Sequence, residues 1–193
     1  MNTKDKQLKN LANKIAECTR CKDLAKSQKV FDKDGNSDSP LVFIAEAPGK
    51  HEDEQGKPLV EDGNAGKFFA NVILKEMKLQ RKEVFVCNIL CCRPSNKNNP
   101  KKDRKPRQDE AEKCQEYLNQ TLAIIKPKFI CCLGRVAAQN FLETKKNVAE
   151  LRRKPREHKG FTVVCTYHPT SRISNKEKLI REDIQRLMRA MGR

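Results

Sequence analysis

Four short, continuous apolar runs constrain this chain more than any other feature. They are 41–45 (Leu-Val-Phe-Ile-Ala), 84–88 (Val-Phe-Val-Cys-Asn), 129–133 (Phe-Ile-Cys-Cys-Leu) and 161–166 (Phe-Thr-Val-Val-Cys-Thr). Each has the length of a strand and reads as near-continuously apolar, the pattern of a strand covered on both faces. Segments of helical character lie between them: 66–78, with Phe69, Val72, Ile73 and Met77 at helical spacing, then 109–125 and 135–142. A helix over 3–15 opens the chain and an amphipathic helix over 177–191 closes it. Strands alternating with helices predict a parallel sheet with helices on both sides. The expected fold is therefore a three-layer α/β/α domain spanning residues 1–193 around a central four-stranded parallel sheet. Ligands of such sheets sit beyond the carboxyl ends of the strands, so segments 46–53, 88–95, 134–135 and 168–172 should converge.

Charge narrows the partner. Over its 193 residues the chain carries 41 Lys and Arg against 25 Asp and Glu, a net charge of +16. Such a balance points to a polyanion, nucleic acid first, although a lysine-rich solvated surface would give the same count. No run approaches the roughly 18 apolar residues of a transmembrane helix, so no membrane association is expected. Residues 1–10 are polar and lysine-rich, which excludes a secretory signal there. The nine cysteines then belong to a reducing, cytoplasmic setting, where they serve metal binding, catalysis or plain burial. Neither G-x-G-x-x-G nor G-x-x-x-x-G-K-[ST] occurs, which argues against dinucleotide and nucleoside-triphosphate chemistry.

Cys18 and Cys21 form a C-x-x-C in the turn after the first helix, a spacing that lets two thiolates share a metal. Cys92, after the second strand, and Cys114, on the helix after a long polar stretch, could complete a four-thiolate site and draw the N-terminal segment (about 1–30) against the sheet. Zinc and an iron–sulfur cluster both accept four cysteines, and spacing does not separate them. Cys87, Cys131, Cys132 and Cys165 lie inside apolar strands and read as small buried hydrophobes. Cys91, next to Cys92, fits either class.

Together the four loops resemble a known family. Glu46-Ala-Pro-Gly-Lys-His-Glu-Asp53, continued by Gly56-Lys-Pro-Leu-Val60 and Ala65-Gly66, is similar to the first motif of the family 4 uracil-DNA glycosylases. Asn88-x-x-x-Cys92-Arg-Pro94 resembles that family's second element and Tyr167-His168-Pro169 its last. Cys18, Cys21, Cys92 and Cys114 match the family's [4Fe–4S] ligands, so the resemblance implies that cofactor. It also implies a monomeric, nucleoid-associated repair enzyme acting on uracil-containing DNA, duplex or single-stranded. A DNA-binding relative that keeps the fold and cluster but excises poorly is the alternative.

Base excision needs the nucleotide out of the stack and donors aimed at the charge that develops on the leaving base. His168 suits the donor to a base carbonyl. Asn88 suits the N3–H and O4 edge of uracil, because its amide both accepts and donates. Ala47 offers backbone to the other carbonyl, and Glu46 or Glu52 would orient water or offset the positive sugar. The family places an aromatic residue where Leu59 stands; base stacking is worth about 1–3 kcal/mol, so Leu59 should weaken uracil binding or admit another base. Lys101, Arg104 and Arg107 in the basic stretch 95–108, which reads as a loop, are expected to meet DNA phosphates. Arg135, Ser171 and Arg172 should meet them near the site.

Overall fold

The structure, a computed structural model, describes residues 2–96 and 99–193. Its first half runs α1 (Thr3–Ala16), β1 (Leu41–Ala45), α2 (Lys50–Gln55), α3 (Asn64–Phe68), α4 (Lys75–Met77), β2 (Phe85–Asn88), β3 (Ser95–Asn96) and β4 (Asn99–Asp103). The second half runs α5 (Gln108–Ile125), β5 (Phe129–Leu133), α6 (Arg135–Phe141), α7 (Val148–Leu151), β6 (Arg156–His158), β7 (Phe161–Thr166) and α8 (Lys176–Ala190). A wide π-helical turn, Phe69–Leu74, joins α3 to α4 and sets Phe69 edge-on against Phe43 at 4.9 Å.

The four apolar runs are mutually parallel, in the order β2-β1-β5-β7. The sheet nevertheless has five strands, not four, because β6 pairs antiparallel with the free edge of β7. Arg-Glu-His carries no apolar pattern, since an edge strand of three residues has little to bury. The stretch 95–108 is likewise not simply a loop: β3 and β4 pair as an antiparallel ribbon. Side-chain ion pairs hold its roots. Arg104 binds the fully buried Glu110 with two nitrogens, at 2.6 and 2.8 Å. Arg93 Nε meets Asp103 at 2.6 Å, and Arg107 meets Asp23 at 3.1 Å.

Alternate residues along each strand feed two cores, which is why the runs are continuously apolar. Val42, Ile44, Cys87, Ile130 and Cys132 face α1, α5 and α6 through residues such as Leu11, Leu118 and Phe141. Leu41, Phe43, Val86, Cys131 and Val164 face the opposite layer, packed on Phe69, Ile73 and Met77 and on Ile180, Ile184 and Leu187 of α8. This is the three-layer α/β/α arrangement. Cys87, Cys131, Cys132 and Cys165 are buried within it, as small hydrophobes should be. Among the described residues no helix is long and apolar enough to cross a membrane.

Candidate active site

A cavity of about 400 Å3 opens at the carboxyl ends of β1, β2 and β7. Its walls are the 45–52 segment after β1, Leu59 and residues 63–65, Asn88 at the end of β2, Pro94, Asp103 and Arg104 from the ribbon roots, and His168 and Thr170 after β7. The sheet geometry explains the convergence, for Ala45 pairs in register with Asn88 and Thr166 ends β7 two residues before His168. Gly134, after β5, supplies no wall but packs behind His168: with φ at +94°, it donates its N–H to Thr166 O at 2.8 Å. A methyl group on it would lie 2.8 Å from the His168 Cβ, so the histidine backbone can lie this close only against a residue without a side chain.

His168 is held in one tautomer. Its Nδ1 accepts the Thr170 backbone N–H at 3.2 Å and lies 2.9 Å from Thr170 Oγ1. An Nδ1 that accepts is unprotonated, so the neutral ring carries its proton on Nε2 and presents it as a donor. Burial, reinforced by the nearby Lys176 charge, brings the ring's pKa down to about 4, so the neutral form persists at physiological pH.

The carboxylates divide. Glu46 lines the cavity half-buried, and burial raises its pKa against the opposing pull of Lys105 and Arg135. Glu52 is buried, and its Oε2 accepts the Gly49 N–H at 3.1 Å, capping the start of α2. That carboxylate wedges between two glycines: a methyl on Gly49 would stand 2.9 Å from Oε2 and one on Gly63 3.3 Å from Oε1. Asn88 lines the cavity with a side-chain amide that bonds no described residue. Leu59 is buried at φ +50°, in left-handed backbone, and separates this cavity from a second one lined by Asp32, Lys57 and Arg81.

Cys18, Cys21, Cys92 and Cys114 line one small cavity that shares no wall residue with the first, together with Leu24, Leu90, Arg20 and Lys113. Arg20 ties the C-x-x-C turn to α5 through Glu116 at 2.7 Å, the Lys113 carbonyl at 3.1 Å and the Tyr117 ring at 4.7 Å. The Lys29 ammonium gathers the carbonyls of Leu24, Ala25 and Ser27 at 3.3, 2.9 and 2.8 Å, curling the following loop, and Lys29 bridges to Cys92. Burial pushes the Cys92 thiol up to about 12, while the Cys91 thiol and N–H bring Cys114 down to about 7. No three His, Cys, Asp or Glu side chains among the described residues converge tightly enough to hold a single ion.

A family model of the Uracil DNA glycosylase superfamily matches residues 33–191. The chain belongs to that superfamily. A type-4 uracil-DNA glycosylase of Archaeoglobus fulgidus is 32% identical over 96% of this chain and 92% of its own length. Its counterpart in Thermotoga maritima is 30% identical over 96% of this chain and 95% of the relative. A third, from Saccharolobus solfataricus, is 32% identical over 94% of this chain and 85% of the relative.

On this glycosylase-superfamily framework the expected DNA contacts sort unevenly. Arg135 and Arg172 are exposed and pair with no described acidic residue. Arg104 and Arg107 instead brace the ribbon against Glu110 and Asp23, and Ser171 Oγ donates to His168 O at 2.8 Å. Those three are thus already engaged within the protein, although Arg104 also lines the cavity. Lys101 lies on β4, and its side chain is outside the described residues. Sequence reasoning missed Ile173, which at 37% exposure is the large hydrophobic left in solvent among the described residues. Its signal was an apolar residue between Arg172 and Ser174. Thr170 and Gly134 fell within segments expected to converge, but their roles gave no signal, because these lie in a hydrogen bond and a close approach.

Proposed function

We propose that this protein removes uracil from DNA by hydrolysing its N-glycosidic bond. The observation that carries the reading is His168, fixed as a neutral Nε2–H donor on a cavity it shares with the unengaged amide of Asn88. As the bond breaks, negative charge grows on the departing base, and a pre-aimed donor in a partly dry site stabilises it most at that moment. Asn88 reads the pyrimidine edge. Glu46, unlike the capping Glu52, has a carboxylate free to orient water or face the positive sugar. Ala47 backbone lies beside it. Arg135 and Arg172 suit the flanking phosphates.

Exposed Ile173 follows His168 by five residues, and an apolar side chain there suits filling the gap that a flipped base leaves in the stack. Ile173→Ala should lower excision from duplex about tenfold while leaving single-stranded substrate within twofold. An equal loss on both substrates would remove the wedge role.

Four thiolates from three segments fit a [4Fe–4S] cluster. Their gathering from three segments around one cavity suits a shared metal group, and the Cys91 N–H to Cys114 Sγ contact of 3.4 Å suits a thiolate ligand. When bound, such a cluster supplies a four-point cross-link among the N-terminal turn, the loop after β2 and α5.

The test is incubation with oligonucleotides carrying U, T, hypoxanthine or xanthine, scored for alkali-labile sites. Uracil opposite guanine should be released and thymine should not. Leu59→Phe, which restores a stacking face, should raise the uracil rate. No labile site on any substrate, with wild type or Leu59→Phe, would favour the DNA-binding alternative.

A further inference from the structure

The C-terminal helix α8 grips the His168 segment on both sides without reaching the cavity. Asp183, fully buried on α8, accepts the Thr166 hydroxyl at 2.7 Å through Oδ2. The same oxygen takes Arg152 Nε at 2.8 Å, and Oδ1 takes Arg186 Nη1 at 2.6 Å. Arg152 continues to the Leu179 carbonyl at 2.8 Å and lies over the Tyr167 ring at 5.5 Å. Thr166 and Tyr167 are the two residues before His168. On the far side Lys176, at the start of α8, donates to the Pro169 carbonyl at 2.6 Å and rests on the Phe68 ring at 4.7 Å. None of Thr166, Lys176 and Asp183 lines the cavity.

We infer that Asp183, through Thr166, and Lys176, through Pro169, are positioning residues that set where the His168 ring stands. The two anchors bracket the histidine at positions −2 and +1, which leaves its backbone little freedom to rotate. Gly134 adds a third restraint by donating its N–H to Thr166 O and abutting His168. A buried carboxylate with two guanidinium partners also has a plain structural use, since removing either sign leaves an uncompensated charge. What that use does not require is the Thr166 hydroxyl, or a lysine reaching over to the Pro169 carbonyl.

Asp183→Ala would strand Arg152 and Arg186 and endanger folding, so the test uses Thr166→Val and Lys176→Met, with Thr166→Ser as rescue. Misplacement of a reacting group by about 1 Å can cost 10²-fold in rate. Each of the two variants should lower the single-turnover excision rate by about tenfold or more, with the Kd for uracil-containing DNA within twofold of wild type. Thr166→Ser should restore the rate. Imidazole resonances give a second readout, because the chain has three histidines: those of His168 should shift while those of His51 and His158 stay in place.

Rates within twofold of wild type in both variants would overturn the inference. So would a loss that tracks weaker DNA binding and lower melting temperature and is not rescued by serine. The kinetic arm rests on the excision reading; the spectroscopic arm does not. If wild type excises nothing, unchanged His168 resonances in the variants still overturn the positioning role, and shifted ones support it.

Discussion

His168→Ala is expected to lower the single-turnover rate of uracil release from a U·G duplex by about 10²–10³-fold, the range for loss of one donor to a developing anion. The loss should fall on the chemical step with DNA affinity little changed, because the Nε2–H meets charge only as the bond breaks. The pH dependence follows from the ring's surroundings. With its pKa near 4, His168 stays neutral across the usual range, so the rate should show no inflection near 6.5. Below about pH 5 the ring begins to protonate at Nδ1, which then opposes the Thr170 N–H that it had accepted, and the rate should fall. Stability moves in the same direction. The folded pKa lies below the unfolded value of about 6.5, so between 6.5 and 4 the unfolded chain binds a proton that the folded chain does not. The histidine's contribution is then fully present above 6.5 and lost as pH falls towards 4. His168→Ala should flatten that part of the stability profile. A rate indifferent to the substitution would make His168 an ordinary loop residue.

Why the sheet could be read in advance is visible in its strands. β1, β5 and most of β7 are buried on both faces, so burial alone wrote an apolar run into the sequence. β6 offered no such signature: Arg156, Glu157 and His158 pair with β7 at an edge and bury little. The β3–β4 ribbon is polar throughout and held from outside by Arg104 and Arg93, which no periodicity records. The π turn at Phe69–Leu74 keeps the apolar spacing of a helix, so its extra width is invisible until the backbone is seen.

At the site, the residues fixed by their place at a strand end could be read, and those fixed by a partner could not. Glu46, Asn88 and His168 each follow or end a β-strand and do meet at one cavity. Choosing between Glu46 and Glu52 needed the Gly49 N–H that engages the second. The pairing of Arg104 and Arg107 with Glu110 and Asp23 could not be read either, because a run of cations looks the same in sequence with or without such partners. Asp183 shows the converse: on a charged amphipathic helix, nothing in the sequence separates a solvated aspartate from one that anchors Thr166.

Cys114→Ala should remove iron and colour from the purified protein and lower its melting temperature. The four sulfurs come from the turn after α1, the loop after β2, and α5, so one bound group closes two long loops at once. Metal binding of this kind is folding free energy. If its loss resembles removal of a native cross-link, the cost is about 2–5 kcal/mol, or roughly 4–20 °C for a chain of this size. Cys165→Ala is the control, since Cys165 is also buried but lies in β7, and it should leave iron content unchanged. A colourless, zinc-loaded wild-type protein whose stability ignores Cys114 would reject the cluster. Excision offers a further separation. Asn88 and His168 stand on strand ends built into the sheet, whereas the ribbon that walls the cavity is tethered on either side by Cys92 and Cys114. Folded molecules that have lost the cluster should therefore keep their chemical step and lose affinity for DNA at the cavity mouth, so the metal's effect on activity should appear in KM before kcat.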